Sequence, residues 1–205
     1  VAIVRSSAVK SGIKKPAKIK EKGVYFRKLL GYYLFKLVDF ICQLYLTVIR
    51  GTPTMIQLLI MYYVIFGSVT IDKRVVAILA FGINSGAYLA EVARSGIASV
   101  DPGQMEAGRS LGLGYGVTMR RIVLPQAVKN ILPAIGNEFV TMVKETSIIQ
   151  YLGISDLMYN NGIVITATYN PLPCYYISAL IYLTLNICLG KGLNIFEGRM
   201  KKSER

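Results

Sequence analysis

The feature that most constrains this chain is a series of apolar runs, each close to the length that a lipid bilayer requires. Residues 54–71 carry no charge, and neither do residues 75–90. Residues 127–149 and 172–189 are also apolar, although four charged residues interrupt the first of these two runs. A spanning helix needs about 20 such residues, and only helices or closed barrels satisfy every backbone group in lipid. The runs therefore predict an all-α, polytopic α-helical membrane protein.

Upstream of these runs, residues 24–49 have the periodicity of an amphipathic helix. Lys28, Lys36 and Asp39 lie off an apolar stripe. We expect this helix to lie along the cytoplasmic interface or to lead into the next span, with a bend at Arg50-Gly51-Thr52-Pro53. The stripe consists of Leu30, Leu34, Leu37, Ile41, Leu44 and Val48.

The net charge of +13 is concentrated at one end of the chain. Ten of the 24 basic residues lie between Arg5 and Lys36, opposed only by Glu21. A nucleic-acid-binding tail is the rival explanation, but the segment has no groove-reading motif and adjoins hydrophobic spans. Membrane lipid is therefore the predicted neighbour, and no nucleic acid. Residues 91–129 and those after Gly190 are also rich in Lys and Arg, so we predict that they are cytoplasmic. Residues 147–174 contain no Lys or Arg, so we predict that they lie outside.

The chain opens on Val-Ala-Ile-Val-Arg without a methionine. This opening has the character of the last turn of a hydrophobic helix, so residues 1–23 are interpreted as the end of a truncated first span followed by a basic cytoplasmic loop.

Cys42, Cys174 and Cys188 lie far apart within or beside apolar stretches. Their spacing fits neither a zinc site nor a disulfide framework, and we expect small apolar fillers.

A polar interval at about residues 101–125 interrupts the apolar pattern. Asp101 is a good N-cap, Pro102 suits the first helical position, and Gln104 can reach back as in a capping box. A short helix is therefore predicted from about residue 102 to residue 111. Gly112 and Gly114 are expected to end it, since glycine adopts the left-handed conformation without a steric penalty.

The surface of this predicted helix suits a docking element. Ala107, Gly108 and Ser110 keep it small enough to enter a groove, while Glu106 and Arg109 can share one face. Glu106-Ala107-Gly108, then three residues to Gly112, nine to Ile122 and then Leu124-Pro125 resembles the EAA loop of bacterial ABC importer permeases. The resemblance implies that the loop binds a separate ABC ATPase subunit. The coupling residues that it implies are Glu106, Ala107, Gly108, Arg109, Gly112, Leu124 and Pro125.

Other motifs extend the resemblance from about residue 24 to the C-terminus. The chain resembles the polar amino-acid ABC transporter permease family of the histidine/glutamine type. The resemblance implies a type I ABC importer permease fold at residues 24–205, with five spans of which the first is largely missing here, in the bacterial cell membrane. It also implies a second permease subunit, two ATPase subunits that bind ATP and Mg, and an extracytoplasmic amino-acid-binding protein. The motifs are Arg50-Gly51-Thr52-Pro53 with Gln57 and Tyr62-Tyr63, Asn84-Ser85-Gly86-Ala87-Tyr88-Leu89-Ala90-Glu91, Leu124-Pro125-Gln126-Ala127, and Gly136-Asn137-Glu138-Phe139 followed by Lys144-Glu145-Thr146-Ser147.

Polar side chains inside the predicted spans suggest a path for the transported solute. An ionisable group in lipid costs several kcal/mol unless it faces a cavity or a partner. Two helix faces could meet the ammonium and carboxylate groups of a zwitterion, or could instead hold helices together. Glu91 has a further alternative, a pair with Arg94 one turn away. The predicted path residues are Asn84 and Tyr88 on one face, and Glu138, Thr141, Glu145 and Thr146 on the other.

The motifs of common enzymes are absent from the sequence. It has no histidine, no GxxxxGK[ST] phosphate loop and no Gly-x-Ser-x-Gly elbow, so we predict a transport subunit that binds no cofactor or metal of its own. An intramembrane hydrolase using Glu138 and Glu145 is disfavoured, because seven residues of helix separate them by roughly 10 Å. Two functions remain. One is a subunit of an ATP-driven importer, and the other is a stand-alone channel or secondary carrier for small polar solutes, which would not need a docking loop.

Overall fold

The computed structural model describes residues 22–202, and the side chains of residues 29–198. Within that part of the chain every regular element is helical, which confirms the all-α prediction. The prediction for residues 1–23 lies, except for the last two residues, outside the described residues. The helices are α1 (Lys22–Gly51), α2 (Thr54–Ile60) with a π-helical turn at Met61–Ile65, α3 (Lys73–Ala98), α4 (Pro102–Ser110), α5 (Tyr115–Thr118) with a π-helical turn at Met119–Val123, α6 (Leu124–Glu145) with a 3₁₀ segment at Thr146–Leu152, α7 (Leu157–Thr168) and α8 (Pro171–Lys202).

The chain divides into two compact units, and it passes from one unit to the other within α3 and again within α6. Among the described residues, the first unit comprises 22–51 and 87–131, and the second comprises 52–86 and 132–202. The first unit therefore contains α1, the second half of α3, the polar interval and the first turns of α6. The second contains α2, the first half of α3, the rest of α6, α7 and α8.

In the first unit, α1 presents its predicted apolar stripe to the outside. The six stripe residues are 48–54% exposed. The half-buried or buried face carries Asp39 and Cys42 together with the apolar Phe35, Leu46 and Ile49, while Lys36 is exposed. Lipid is as apolar as leucine, so a membrane helix gains nothing by hiding its apolar face. Residues Leu29–Gly51 are long and apolar enough to cross a membrane, which goes beyond the predicted interfacial or lead-in role.

The structure corrects the predicted span over residues 54–71. Helical structure there ends at Ile65, so Thr54–Ile65 is a shorter apolar helix. At 1.5 Å per residue it is about 18 Å long, which is less than the ~30 Å of bilayer hydrocarbon. The Phe66 amide makes the last π-helical bond, to the Met61 carbonyl at 3.0 Å, and the chain then turns. Gly67 is required in this turn, since a Cβ there would overlap the Tyr63 carbonyl.

The core of the second unit joins α2, the first half of α3 and the 3₁₀ segment. Its buried members are Leu58, Ala77, Ala80, Phe81 and Leu152. The small alanines let the helices approach closely, as is common between membrane helices.

The run predicted at residues 127–149 is also corrected, because α6 ends at Glu145 and the chain continues as the 3₁₀ segment to the left-handed Gly153.

Three helices among the described residues are long and apolar enough to cross a membrane: Leu29–Gly51, Lys73–Ala98 and Pro171–Gly198. The last two contain the predicted runs 75–90 and 172–189. Helix α6, with 22 residues, has the length for a crossing at about 33 Å but carries four charged residues.

Only 6% of the most apolar part of α8 is buried, and its inward face carries Ser178, Tyr182 and Asn186. The polar side chains thus face protein, and the apolar ones are left for lipid or a partner.

Candidate functional site

Helix α4, in the first unit, is the predicted docking helix, and its start has the predicted chemistry. Asp101 is the N-cap, and its Oδ1 accepts a hydrogen bond from the Gly103 amide at 2.8 Å. Pro102 occupies the first helical position, where a missing N–H removes no helical bond. The predicted capping box is absent from this helix. Gln104 instead accepts a bond from Gln126 Nε2 at 3.3 Å, which connects α4 to the first turns of α6.

The end of α4 follows the Schellman pattern of a glycine stop. Gly112 has a φ of +80°, and its amide bonds to the Arg109 carbonyl at 3.0 Å. The Leu113 amide bonds to the Gly108 carbonyl at 3.1 Å. Gly112 alone ends the helix. The prediction was wrong for Gly114, which has a φ of −64° and begins the next helix as its N-cap.

The small residues of α4 divide between two faces. Gly108 is buried, and a Cβ added there would overlap Thr118 Cγ2 and come within 3.1 Å of Ile122 Cδ1. Ala107 and Ser110 are exposed. The small size of Gly108 therefore allows the contact between α4 and α5 within this chain. Ala107 and Ser110 leave their part of the outer surface of α4 without large side chains.

The outer face of α4 combines charge with apolar surface. Glu106 and Arg109 are exposed, and Arg109 Nη1 donates to the Leu113 carbonyl at 3.4 Å. Leu111 is 80% exposed, and Tyr115 is more than half exposed. Sequence analysis missed these last two residues. The sequence signal for them was that Leu111 precedes Gly112 and Tyr115 follows Gly114 in a loop that interrupts the apolar runs. A loop that only connects two helices through water does not require large apolar side chains there.

The base of the loop rests on an apolar cluster in the first unit. Ile97, Val100, Val123 and Ala127 are buried there, and Leu124 packs against them. Pro125 is exposed at the second position of α6. Of the predicted coupling residues, Leu124 and Gly108 therefore face inward, and Glu106, Ala107, Arg109 and Pro125 face outward.

Asn84, predicted for the solute path, lies in the interior of the second unit. It is 3% exposed, and its Nδ2 donates to Gln57 Oε1 at 3.0 Å. Gln57 Nε2 in turn donates to the Thr52 hydroxyl at 2.7 Å and to its carbonyl at 3.0 Å. This chain of bonds ties α2 to α3. The geometry favours the alternative role of holding helices together for Asn84, and its path role stays a prediction.

Tyr88 and Glu91 lie in the first unit beside two arginines. Arg94 donates to Glu91 through Nε at 2.8 Å and also through Nη2, which confirms the predicted pair. Arg50 Nη1 lies 3.8 Å from Glu91 Oε2, and its guanidinium carbon lies 5.7 Å from the centre of the Tyr88 ring. Sequence analysis did not foresee the contacts of Arg50, because they join segments far apart in the chain.

The remaining predicted path residues lie along the second half of α6 and just after it, in the second unit. Glu138 and Thr141 are half-buried, and Glu145 is exposed at the last position of the helix. Thr146 begins the 3₁₀ segment, and its hydroxyl donates to the Val143 carbonyl at 2.9 Å. The structure thus places three of the four on α6 and one beyond it, and their role in the path stays a prediction.

The described residues contain no group of three His, Cys, Asp or Glu that could hold a metal ion. Cys42, Cys174 and Cys188 are all free thiols.

Known proteins match almost the whole chain. The family model for the binding-protein-dependent transport system inner membrane component matches residues 25–202. The arginine transport system permease protein of Bacillus subtilis is 41% identical over 172 residues, which cover 83% of this chain and 78% of that protein. The glutamine transport system permease protein of Escherichia coli is 32% identical over 168 residues, which cover 80% of this chain and 77% of that protein.

A solved structure also matches the fold. It is described as the crystal structure of an amino acid ABC transporter with histidines, and the matched chain is 36% identical to this one. The TM-score is 0.71, and the match covers 97% of this chain and 88% of the solved one.

Proposed function

Because the chain belongs to the family of binding-protein-dependent transport system inner membrane components, we propose that it is the permease subunit of an ATP-driven importer of polar amino acids. The relatives from Bacillus subtilis and Escherichia coli are named for arginine and glutamine transport, which supports this solute class. We place the chain in the bacterial cell membrane as a multi-pass protein. The observation that carries the proposal is helix α4, which is fixed at both ends and leaves a charged and apolar face exposed.

We propose that this face docks on an ABC ATPase subunit. Glu106 and Arg109 supply charge, and Leu111 and Tyr115 supply apolar area, a combination typical of protein interfaces. The Asp101 cap and the glycine stop hold the helix rigid. Because α4 directly follows α3 and α5 leads into α6, a displacement of the docked helix would pass to both long helices. ATP and Mg would be bound by the ATPase, and this chain supplies the mechanical connection.

For the solute path, we propose that α6 contributes one wall. Glu138 and Glu145 are seven residues apart on one face, with Thr141 between them and Thr146 after them. Carboxylates in this position would meet the ammonium group of an amino acid that an extracytoplasmic binding protein delivers. A second permease subunit would supply the facing wall, so that the two together alternate between inward-open and outward-open states.

The runner-up function is a stand-alone channel or secondary carrier. Such a protein has no use for a capped helix whose exposed face carries Leu111, an apolar side chain that water does not favour. The ordered loop therefore favours the importer.

Charge reversal at the loop tests the docking proposal. Glu106→Lys should leave the permease inserted but weaken its binding to the purified ATPase subunit by at least ~tenfold, because a reversed charge faces the partner. Glu197→Lys, near the C-terminal end of α8, is the matched control and should bind normally. Normal ATPase binding and normal uptake in the Glu106 variant would refute docking through this face.

Neutral isosteres test the path proposal. Glu138→Gln and Glu145→Gln keep the shape and remove the charge, so uptake into reconstituted vesicles should fall while the complex still assembles. Basal ATP hydrolysis measured on the same vesicles shows whether the ATPase remains active. Unchanged uptake in both single variants and in the double variant would assign these carboxylates a structural role.

A further inference from the structure

The second unit contains an apolar groove that shares only Thr146 with the proposed solute path. Its volume is about 530 Å³, within the range of small-molecule sites. Ala77 and Phe81 are its buried residues, and Ile78 of α3 lies on one side. Met142 of α6 and Ile149 of the 3₁₀ segment are among the residues that complete its lining. We call this cavity the α3–α6 groove.

The exposed lining of the α3–α6 groove is entirely apolar. Thr146 contributes to it, but the Thr146 hydroxyl is bonded to the Val143 carbonyl at 2.9 Å. An amino acid in this groove would lose the hydration of two charged groups and gain no partner for either, at a large cost. The groove therefore suits a hydrocarbon chain and is a poor site for the transported solute.

One end of the α3–α6 groove carries positive charge. Arg74 lines the groove with its aliphatic stem, since no polar surface lies inside, and this leaves its charged head at the mouth. Lys73 Nζ lies 3.5 Å from the position of a Cβ on Gly153, next to the groove residue Ile154. Two acids are near this end in sequence, Asp72 and, two residues after Ile154, Asp156. Asp72 Oδ1 accepts a bond from the Arg74 amide at 2.7 Å, and Asp156 Oδ1 accepts one from the Tyr159 amide at 2.7 Å. Two side-chain cations thus lie at the mouth, while each of these carboxylates is bonded to a backbone amide.

We propose that the α3–α6 groove binds one acyl chain of an anionic phospholipid, with the phosphate at Arg74 and Lys73. An apolar interior and a cationic mouth together match an amphiphile with a hydrocarbon tail and an anionic head. Phospholipid is the amphiphile that surrounds an inner-membrane protein, and basic groups beside apolar helices bind lipid head groups. The proposal also gives a use to Lys73 and Arg74, the two basic residues between the uncharged runs at 54–71 and 75–90.

Filling the groove is the first test. Gly82 lines the groove and has nothing within 4 Å of its Cβ position, so the Cβ that Gly82→Leu adds meets open space. Gly31 on α1 is equally open, so Gly31→Leu is the matched control. The full complex is delipidated in detergent, titrated with phosphatidylglycerol or phosphatidylcholine of the same chain length, and examined by native mass spectrometry. Wild type and Gly31→Leu should retain phosphatidylglycerol, and Gly82→Leu should lose it.

Removing the charge is the second test and does not depend on packing. Arg74→Gln should lower the preference for phosphatidylglycerol over phosphatidylcholine by roughly fivefold. Lys191→Gln, an exposed cation on α8, should leave the preference unchanged. Equal retention of the two lipids by wild type, or undiminished phosphatidylglycerol binding by Gly82→Leu, would overturn the proposal. Dissociation of paired permeases by Gly82→Leu, with no lipid preference in wild type, would show that a second copy of the chain covers the groove instead.

Discussion

The close approach of α4 to α5 at Gly108 predicts a specific response to Gly108→Ala. The added methyl group would overlap Thr118 Cγ2 and lie 3.1 Å from both Thr118 Oγ1 and Ile122 Cδ1. Overpacking of this kind costs about 1–3 kcal/mol, while alanine for glycine inside a helix returns about 1 kcal/mol. The net loss of local stability is therefore about 1 kcal/mol, which corresponds to roughly fivefold more frequent opening of the α4–α5 contact.

Hydrogen exchange followed by mass spectrometry measures this opening on peptides that cover α4. Gly108→Ala should exchange about fivefold faster there and normally in α8. Gly116→Ala is the control, since nothing lies within 4 Å of its Cβ position. Thr118→Ser removes the methyl group that causes the worst overlap, so the double variant should recover part of the protection. Exchange in Gly108→Ala that is as slow as in wild type, or a double variant that recovers nothing, would refute the packing argument.

Three further outcomes follow from the described contacts. Asp101→Ala removes the cap of α4 and should destabilise its first turn by about 1 kcal/mol, seen as faster amide exchange near residue 103. Asn84→Ala removes the buried bond to Gln57 and should lower the stability of the complex by about 1 kcal/mol, measured by thermal unfolding in detergent. Tyr169→Cys and Ser110→Cys, in a cysteine-free background, should react with an impermeant thiol reagent from opposite sides, Tyr169→Cys from outside. Tyr169 is 89% exposed, and labelling of both positions from one side would contradict the predicted topology.

The helix at Pro102–Ser110 was predictable because its signals are local. An Asp-Pro cap and a glycine stop act within one or two turns of helix, and both are found where the sequence places them. The same reasoning failed for Gly114 and Gln104. Gly114 can serve as a stop or as a cap, and Gln104 found a partner 22 positions away, which no local pattern specifies.

The faces of α1 show a different limit of sequence reasoning. Periodicity located two faces correctly, but it does not state which of them is buried. In water the apolar face turns inward, whereas in lipid an apolar face gains nothing by burial. The half-buried Asp39 and the exposed Leu37 follow the second rule.

Contacts between distant segments account for the rest of what sequence reasoning missed. Gln57 with Asn84, and Arg50 with Glu91, join residues whose types suggest many possible partners. The end of the helix at Ile65 was also hidden, because an apolar run without charge carries no marker for a π-helical turn.

The central claim is that this chain transports only when an ATPase acts on it through α4. The most direct measurement is uptake of labelled arginine and glutamine into vesicles loaded with Mg-ATP, with and without the ATPase subunit. The permease and the binding protein are present in both samples, and the lumen of the vesicles corresponds to the cytoplasm. Uptake should occur only when the ATPase is present and should be lost in the Glu106→Lys complex. Equal uptake without the ATPase would refute the importer proposal and identify the chain as a stand-alone channel or carrier.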